Sequence, residues 1–127
     1  MTGPGLARPL GFTEALCAEW FEVVPDGLEV VGALALAEPV AAPALTRAVD
    51  AAWERHPALA SCVRRNPAGD WEFAPGDRAA VTVGVAPPGS RWRDRFRAAL
   101  HETLDPGRAL WRVELVEDPP DAPEPAV

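Results

Sequence analysis

Long hydrophobic runs, a secretory signal and paired cysteines are all missing from this sequence of 127 residues. It has no run of about 18 apolar residues, so no membrane association is expected. The first 12 residues lack the apolar centre of a secretory signal, which predicts a cytoplasmic protein. Cys17 and Cys62 have no metal-binding or redox spacing, and each lies in an apolar stretch, so we predict two buried thiols.

Basic residues are also few. The chain has 12 of them, all arginine, against 19 acidic residues, and its formal net charge is -7. A partner with a phosphate backbone selects proteins that present a basic surface, because the contact neutralises phosphate charge. Nucleic acid is therefore not expected to be a partner.

The clearest pattern present is an amphipathic helix over residues 43–56. Leu45, Val49 and Trp53 recur at helical spacing on one face, while the opposite face is charged. Pro43 suits the first turn of a helix, where its missing N–H has no partner to lose. Pro57 ends the helix, since the residue before a proline is pushed out of the α region.

Two more helices and five strands follow from similar patterns. The helices are predicted at residues 14–24 and 91–104, with Thr13 and Ser90 as N-caps. The strands are predicted at residues 28–37, 59–65, 71–73, 80–85 and 109–117. This order predicts an α+β fold, a two-layer sandwich with helices on one face of a mainly antiparallel sheet. Residues 1–116 would form one lobe, and residues 117–127 an acidic, proline-rich mobile tail.

Three sequence pieces resemble one superfamily of acyltransferases, which includes chloramphenicol acetyltransferase and the condensation domains of nonribosomal peptide synthetases. The likeness is nearest to its polyketide-associated and alcohol acyltransferases, and it implies the N-terminal lobe of a two-lobed, chloramphenicol acetyltransferase-like fold. In order, the pieces are Arg8-Pro9-Leu10-Gly11 with Glu14, the helix ending in Arg55-His56-Pro57-Ala58-Leu59, and Leu104-Asp105 with Ala109-Leu110-Trp111-Arg112-Val113.

The chain departs from that superfamily in two places. Ala60 stands where the family commonly has an arginine that pairs with the aspartate of the active-site motif, so Arg64 or Arg65 would have to replace it. The motif itself, His-His-x-x-x-Asp-Gly, is absent. The resemblance implies that its second histidine is the general base of acyl transfer.

The residues that match the family motifs are therefore expected to be structural. They are Arg55, His56, Pro57, Leu59 and Arg112. An imidazole at a helix C-terminus is favoured by the helix dipole and can bond the last carbonyl groups, so a structural role for His56 is preferred over catalysis. His101 is expected to be a polar helix residue. No catalytic residue, metal ligand or bound cofactor is predicted for this chain.

Three functions remain open at this point. The first is the N-terminal half of a condensation-type acyltransferase, inactive alone, whose donor would be acyl-coenzyme A or a phosphopantetheine thioester. Its partner would be the missing C-terminal lobe. The second is a free-standing, non-catalytic half-lobe that binds a carrier protein or an acyltransferase chain. The third is a generic α+β ligand-binding domain with accidental motif similarity.

Overall fold

The computed structural model describes residues 4–24 and 29–118, and these have an α+β fold. The α+β class is therefore confirmed. The helices are α1 (Phe12–Val23), α2 (Ala42–Arg55) and α3 (Trp92–Ala99), with a short 3-10 helix at Arg78–Ala80. The strands are β1 (Arg8–Pro9), β2 (Ser61–Arg65), β3 (Trp71–Pro75), β4 (Val83–Val85) and β5 (Val113–Leu115).

A three-stranded antiparallel sheet has the strand order β1-β3-β2. Strands β2 and β3 form the predicted hairpin, with Arg65 opposite Trp71 and a loop of residues 66–70 between them. The Asn66 side chain accepts the N–H groups of Ala68 and Asp70, each at 3.0 Å, and Gly69 takes a positive φ of 88°. Turn chemistry that is visible in the sequence thus sets the register of this hairpin.

A separate sheet consists of β4 and β5, which pair in parallel with Val83 opposite Val113. The prediction of a single sheet is therefore wrong for the described residues, which form two sheets, although two of their three strand pairings are antiparallel as predicted. Parallel pairing requires a long crossover between the strands, and residues 86–112 with α3 supply it. Alternation of apolar residues indicated these strands, but it carries no information about which strand pairs with which.

The predicted strand at residues 28–37 is also wrong wherever the structure describes it. Residues 29–41 contain no strand or helix, and Leu28 lies outside the described residues. A strand exists only when a neighbour satisfies its backbone N–H and carbonyl groups, and no described segment does so here. Of the predicted tail, residues 117 and 118 have no regular structure, and residues 119–127 lie outside the described range.

The helix ends differ from the predicted caps. Gly11, not Thr13, precedes α1, and the Glu14 carboxylate accepts the Gly11 N–H at 2.8 Å. At α3 the predicted cap Ser90 donates its hydroxyl to the Pro87 carbonyl at 2.6 Å instead, because it belongs to the preceding turn. Helix α3 also ends at Ala99, five residues before the predicted end.

The core lies beneath α2, as the amphipathic pattern predicted. Its buried residues are Val49, Trp53, Ala60, Val81 and Ala109. Cys62 is buried as predicted, and burial raises the pKa of its thiol. The same prediction is wrong for Cys17, which is exposed, because α1 does not bury the face that carries it.

Replacing Trp53 by alanine should lower the free energy of unfolding by about 3 to 5 kcal/mol, because it empties the largest side-chain volume in this core. Urea unfolding followed by circular dichroism measures the change. Glu54→Ala, on the exposed face of the same helix, is the matched control and should stay within about 0.5 kcal/mol of the native chain. A loss below about 1 kcal/mol for Trp53→Ala would contradict the placement of this core.

Candidate functional site

The turn after α2 carries most of the family motif. The His56 N–H caps the helix by donating to the Ala52 carbonyl at 2.9 Å. The Ser61 hydroxyl donates to the Pro57 carbonyl at 2.6 Å and accepts the Leu6 N–H at 2.7 Å, and Ser61 is 0% exposed. A buried hydroxyl with both partners satisfied fixes the path of the chain from α2 into β2.

The third sequence piece meets this turn directly. The indole N–H of Trp111 donates to the Leu59 carbonyl at 2.8 Å, across 52 residues of sequence. Arg112 donates to the Glu102 carbonyl at 3.0 Å and pairs with its carboxylate at 3.3 Å, beyond the end of α3. Of the five predicted motif residues, Pro57 and Leu59 thus accept hydrogen bonds through their carbonyl groups, and Arg112 contacts Glu102, which follows α3. Arg55 and His56 are exposed.

Ala60, the departure from the family pattern, lies in a closely packed position. It is 1% exposed, and a Cβ on Gly5 would come within 2.3 Å of its carbonyl oxygen. Arg64 and Arg65, the possible replacements, pair with carboxylates of this chain, Arg64 with Glu72 at 3.0 Å and Arg65 with Glu19 at 2.8 Å. Because Ala60 belongs to the core cluster with Val49 and Trp53, a larger side chain at this position would require the core to repack.

The opening sequence piece forms a clamp between β1 and α1. The Arg8 guanidinium donates to both carboxylate oxygens of Glu14, at 2.9 and 3.2 Å, and lies 4.8 Å from the ring centre of Phe73. The hydrogen bond from Arg8 is the main reason that the pKa of Glu14 is lowered. The spacing of arginine and glutamate in this piece therefore has a structural explanation.

A second clamp holds the other half of α1. Glu19 accepts the indole N–H of Trp71 at 2.8 Å and also pairs with Arg65, whose guanidinium lies 4.2 Å from a Trp71 ring centre. The indole hydrogen bond, followed by the one from Arg65, lowers the pKa of Glu19. Helix α1 is thus attached at two polar points, and none of its residues is buried.

Between the two clamps lies a cleft of about 800 Å³ beneath α1, which we call the α1 cleft. It brings together Leu10 from the first sequence piece with Leu104 and Leu110 from the third. Its wall also includes the apolar Phe21, Val63 and Phe73, and among its polar side chains are the carboxylates of Glu14 and Glu22. An apolar cleft with few polar groups at its edge suits an apolar ligand or the side chains of another protein.

Sequence analysis missed this cleft, although one signal pointed to it. The segment that forms α1 has apolar residues on both sides, with Phe21 toward the cleft and Leu16 and Trp20 about half exposed to solvent. Large apolar side chains on a helix normally face the core or another covering surface. That conflict between composition and exposure marks α1 as a helix whose outer face has no cover among the described residues.

Within the described ranges, no group of three or more His, Cys, Asp or Glu side chains could hold a metal ion. None of the described helices has the length and hydrophobicity that a membrane span requires. Comparison with protein-family models, with curated proteins and with solved structures gives no match.

Trp111→Phe keeps an aromatic ring but removes the N–H that reaches the Leu59 carbonyl, so it should lower the free energy of unfolding by about 1 to 2 kcal/mol. Chemical unfolding measures the loss. Trp92→Phe makes the same chemical change on α3, where the ring packs edge-on against Phe96, and serves as the control. Equal effects of the two substitutions would contradict a special role for the Trp111 hydrogen bond.

Stability should also depend on pH in a direction fixed by the carboxylates. The pKa values of four of them are lowered in the folded chain, chiefly by a hydrogen bond from an arginine or, for Glu19, from the Trp71 indole. They are Glu14, Glu19, Asp77 and Glu114. A carboxylate whose pKa is lowered in the folded chain stabilises the fold at pH values above its ordinary pKa, which is 4.5 for Glu and 3.8 for Asp. That contribution is lost as the pH falls through the lowered pKa.

Unfolding in urea across a pH series tests this. The free energy of unfolding should decline below about pH 4.5, and the difference between the native chain and Glu14→Gln should be largest at neutral pH and vanish in acid. A difference that persists unchanged at about pH 2.5 would show that the Glu14 carboxylate does not act through its charge.

Proposed function

We propose that this chain is the N-terminal lobe of a condensation-type acyltransferase, which moves an acyl group from a thioester to a hydroxyl or an amine and is inactive alone. The hydrogen bond from the Trp111 indole to the Leu59 carbonyl carries the proposal. It supports the resemblance because two motif pieces, 52 residues apart, contact each other at a defined point. The first and third pieces also share the wall of the α1 cleft.

The chemistry requires a base that this chain is not proposed to supply. The base removes the proton from the acceptor hydroxyl or amine as its oxygen or nitrogen attacks the thioester carbonyl carbon; the C–S bond then breaks and the thiolate takes up a proton. A histidine near its ordinary pKa suits this task. His56 is engaged through its backbone in ending α2, and the sequence has no His-His-x-x-x-Asp-Gly. The base is assigned to the second lobe.

The proposal includes the donor and the layer arrangement. The donor is acyl-coenzyme A or an acyl group on a phosphopantetheine arm, since either presents the thioester that the reaction consumes. We also propose that the lobe has the two-layer sandwich arrangement, half of a chloramphenicol acetyltransferase-like fold, when it is in contact with its partner. The apolar outer face of α1, with Phe12 and Val23 strongly exposed, supports such a contact, because it leaves apolar surface for a partner to cover.

A non-catalytic half-lobe that binds a carrier protein or an acyltransferase chain is the second candidate. The exposed face of α1 supports it equally, because a binding module also needs such a surface. The coding DNA after Val127 separates the two candidates. An in-frame continuation that encodes His-His-x-x-x-Asp-Gly favours the acyltransferase lobe, and a stop codon favours the binding module.

The cytoplasm is the proposed location. Cys17 is exposed and both cysteines are free thiols. Exposed thiols persist in a reducing compartment, whereas oxidising compartments convert them to disulfides or oxidised forms.

The chain alone should show no acyl transfer above background from acyl-coenzyme A or from an acylated carrier protein to hydroxyl or amine acceptors. The reason is that neither His56 nor His101 is placed by the family motif at the reacting atoms. Release of free thiol, measured with a thiol reagent and by mass spectrometry of the acylated acceptor, is the assay.

Mixing with a second chain that supplies His-His-x-x-x-Asp-Gly should produce transfer, and replacing the second histidine of that motif by alanine is the control. Steady turnover by this chain alone, abolished by His56→Ala with the circular dichroism spectrum unchanged, would overturn the proposal. It would place the base on this lobe.

A further inference from the structure

Helix α3 has no capping side chain at its own start. Arg91, the residue that precedes the helix, makes no side-chain capping hydrogen bond, and the Ser90 hydroxyl is engaged with the Pro87 carbonyl. The helix has eight residues, and none of them is buried. An isolated helix shorter than about 12 residues is marginal in water, so α3 depends on contacts with other segments.

One of these contacts comes from Asp118, which lies 26 residues beyond Trp92. The Asp118 carboxylate accepts the N–H of Trp92, the first residue of α3, at 3.2 Å, and its side chain is only 15% exposed. The first N–H groups of a helix have no partner within the helix, and the start of a helix favours negative charge. Asp118 therefore caps α3 from the segment that follows β5.

The other oxygen of this carboxylate, Oδ1, is only partly satisfied. It is buried, and no described donor forms a hydrogen bond with it. A guanidinium nitrogen of Arg91 lies 3.3 Å away and balances its charge. Burial of a carboxylate oxygen without a hydrogen bond is costly, and water would supply one if Asp118 moved away from α3. The contact is therefore not so strong that it is permanent.

A second attachment of β5 to α3 does not involve Asp118. Arg95 binds both carboxylate oxygens of Glu114, at 2.5 and 2.9 Å, and β5 is also paired with β4. The hydrogen bond from Arg95 is the main reason that the pKa of Glu114 is lowered. These bonds hold β5 in place whether or not Asp118 contacts the helix.

We propose that Asp118 is a latch, a contact that opens and closes while the rest of the lobe stays folded. When it is closed, the folded lobe extends to Asp118, past the boundary at residue 116 that the sequence predicts, and the first turn of α3 is stabilised. When it opens, that turn frays and Arg91 loses its partner. A partner that draws residue 118 away therefore loosens the start of α3, and the coupling is reciprocal. The latch does not rest on the proposed acyltransferase function.

Nuclear magnetic resonance on the full ¹⁵N-labelled chain tests the latch from the side of Asp118. Asp118→Ala should move the Trp92 amide proton upfield, because its hydrogen bond to a carboxylate is lost, and should lower its protection from hydrogen exchange about fivefold, as expected for the loss of a helix cap. Glu117→Ala changes the exposed neighbouring carboxylate and is the matched control, which should leave both observables unchanged.

A second pair of variants tests the latch from the side of the helix. Trp92→Pro removes the N–H, and proline suits this first helical position because Arg91 already has an extended backbone, with φ of -95° and ψ of 134°. Trp92→Ala also loses the indole ring but keeps the N–H, so it is the control. The order parameter of the Asp118 amide should be about 0.8 in the native chain and in Trp92→Ala, and should fall below about 0.6 in Trp92→Pro.

Three results would overturn the proposal. An order parameter below about 0.6 at Asp118 in the native chain would show that the latch is not closed. Equal effects of Asp118→Ala and Glu117→Ala on the Trp92 amide would show that the Asp118 carboxylate does not cap α3. Equal release of Asp118 by Trp92→Ala and Trp92→Pro would assign the contact to the indole ring and not to the backbone N–H.

Discussion

The hydrogen-bonded turn from α2 into β2, which ends at the buried Ala60 and Ser61, is the constraint on which the rest of the structure depends. Here the Ser61 hydroxyl donates to the Pro57 carbonyl and accepts the Leu6 N–H, and the Trp111 indole N–H donates to the Leu59 carbonyl. Each bond has a modest net value, but a buried polar group without its partner costs considerably more. The turn therefore ties the N-terminal segment, α2, the hairpin and the last strand into one unit.

Around this turn the core is small, and every buried member of it except Trp53 is an alanine or a valine. Small side chains allow close approach of the backbone but remove little apolar area from water. The surface also carries ion pairs, such as Arg8 with Glu14 and Arg65 with Glu19. Exposed pairs of this kind each contribute little to stability. Apolar surface also remains exposed on α1 and on residues 30–36.

Two apolar surfaces remain exposed in the described part of the chain. Helix α1 exposes several large apolar side chains, and residues 30–36 are apolar without regular structure, and neither segment is buried. Large exposed apolar patches often mark interaction sites. Under the proposed function, a second lobe would cover the exposed face of α1.

The sequence by itself determined the local structure: α2 and its buried face with Trp53, the hairpin loop at Asn66, and the α+β class. Periodicity and turn chemistry act within a few residues, so they are visible in the sequence. Only the tertiary structure decided that β4 pairs with β5 in parallel, that residues 29–37 have no partner strand in the described part of the chain, and that Cys17 is exposed. Strand pairing and burial depend on which distant segment lies alongside, and apolar alternation is the same whether that neighbour is present or absent.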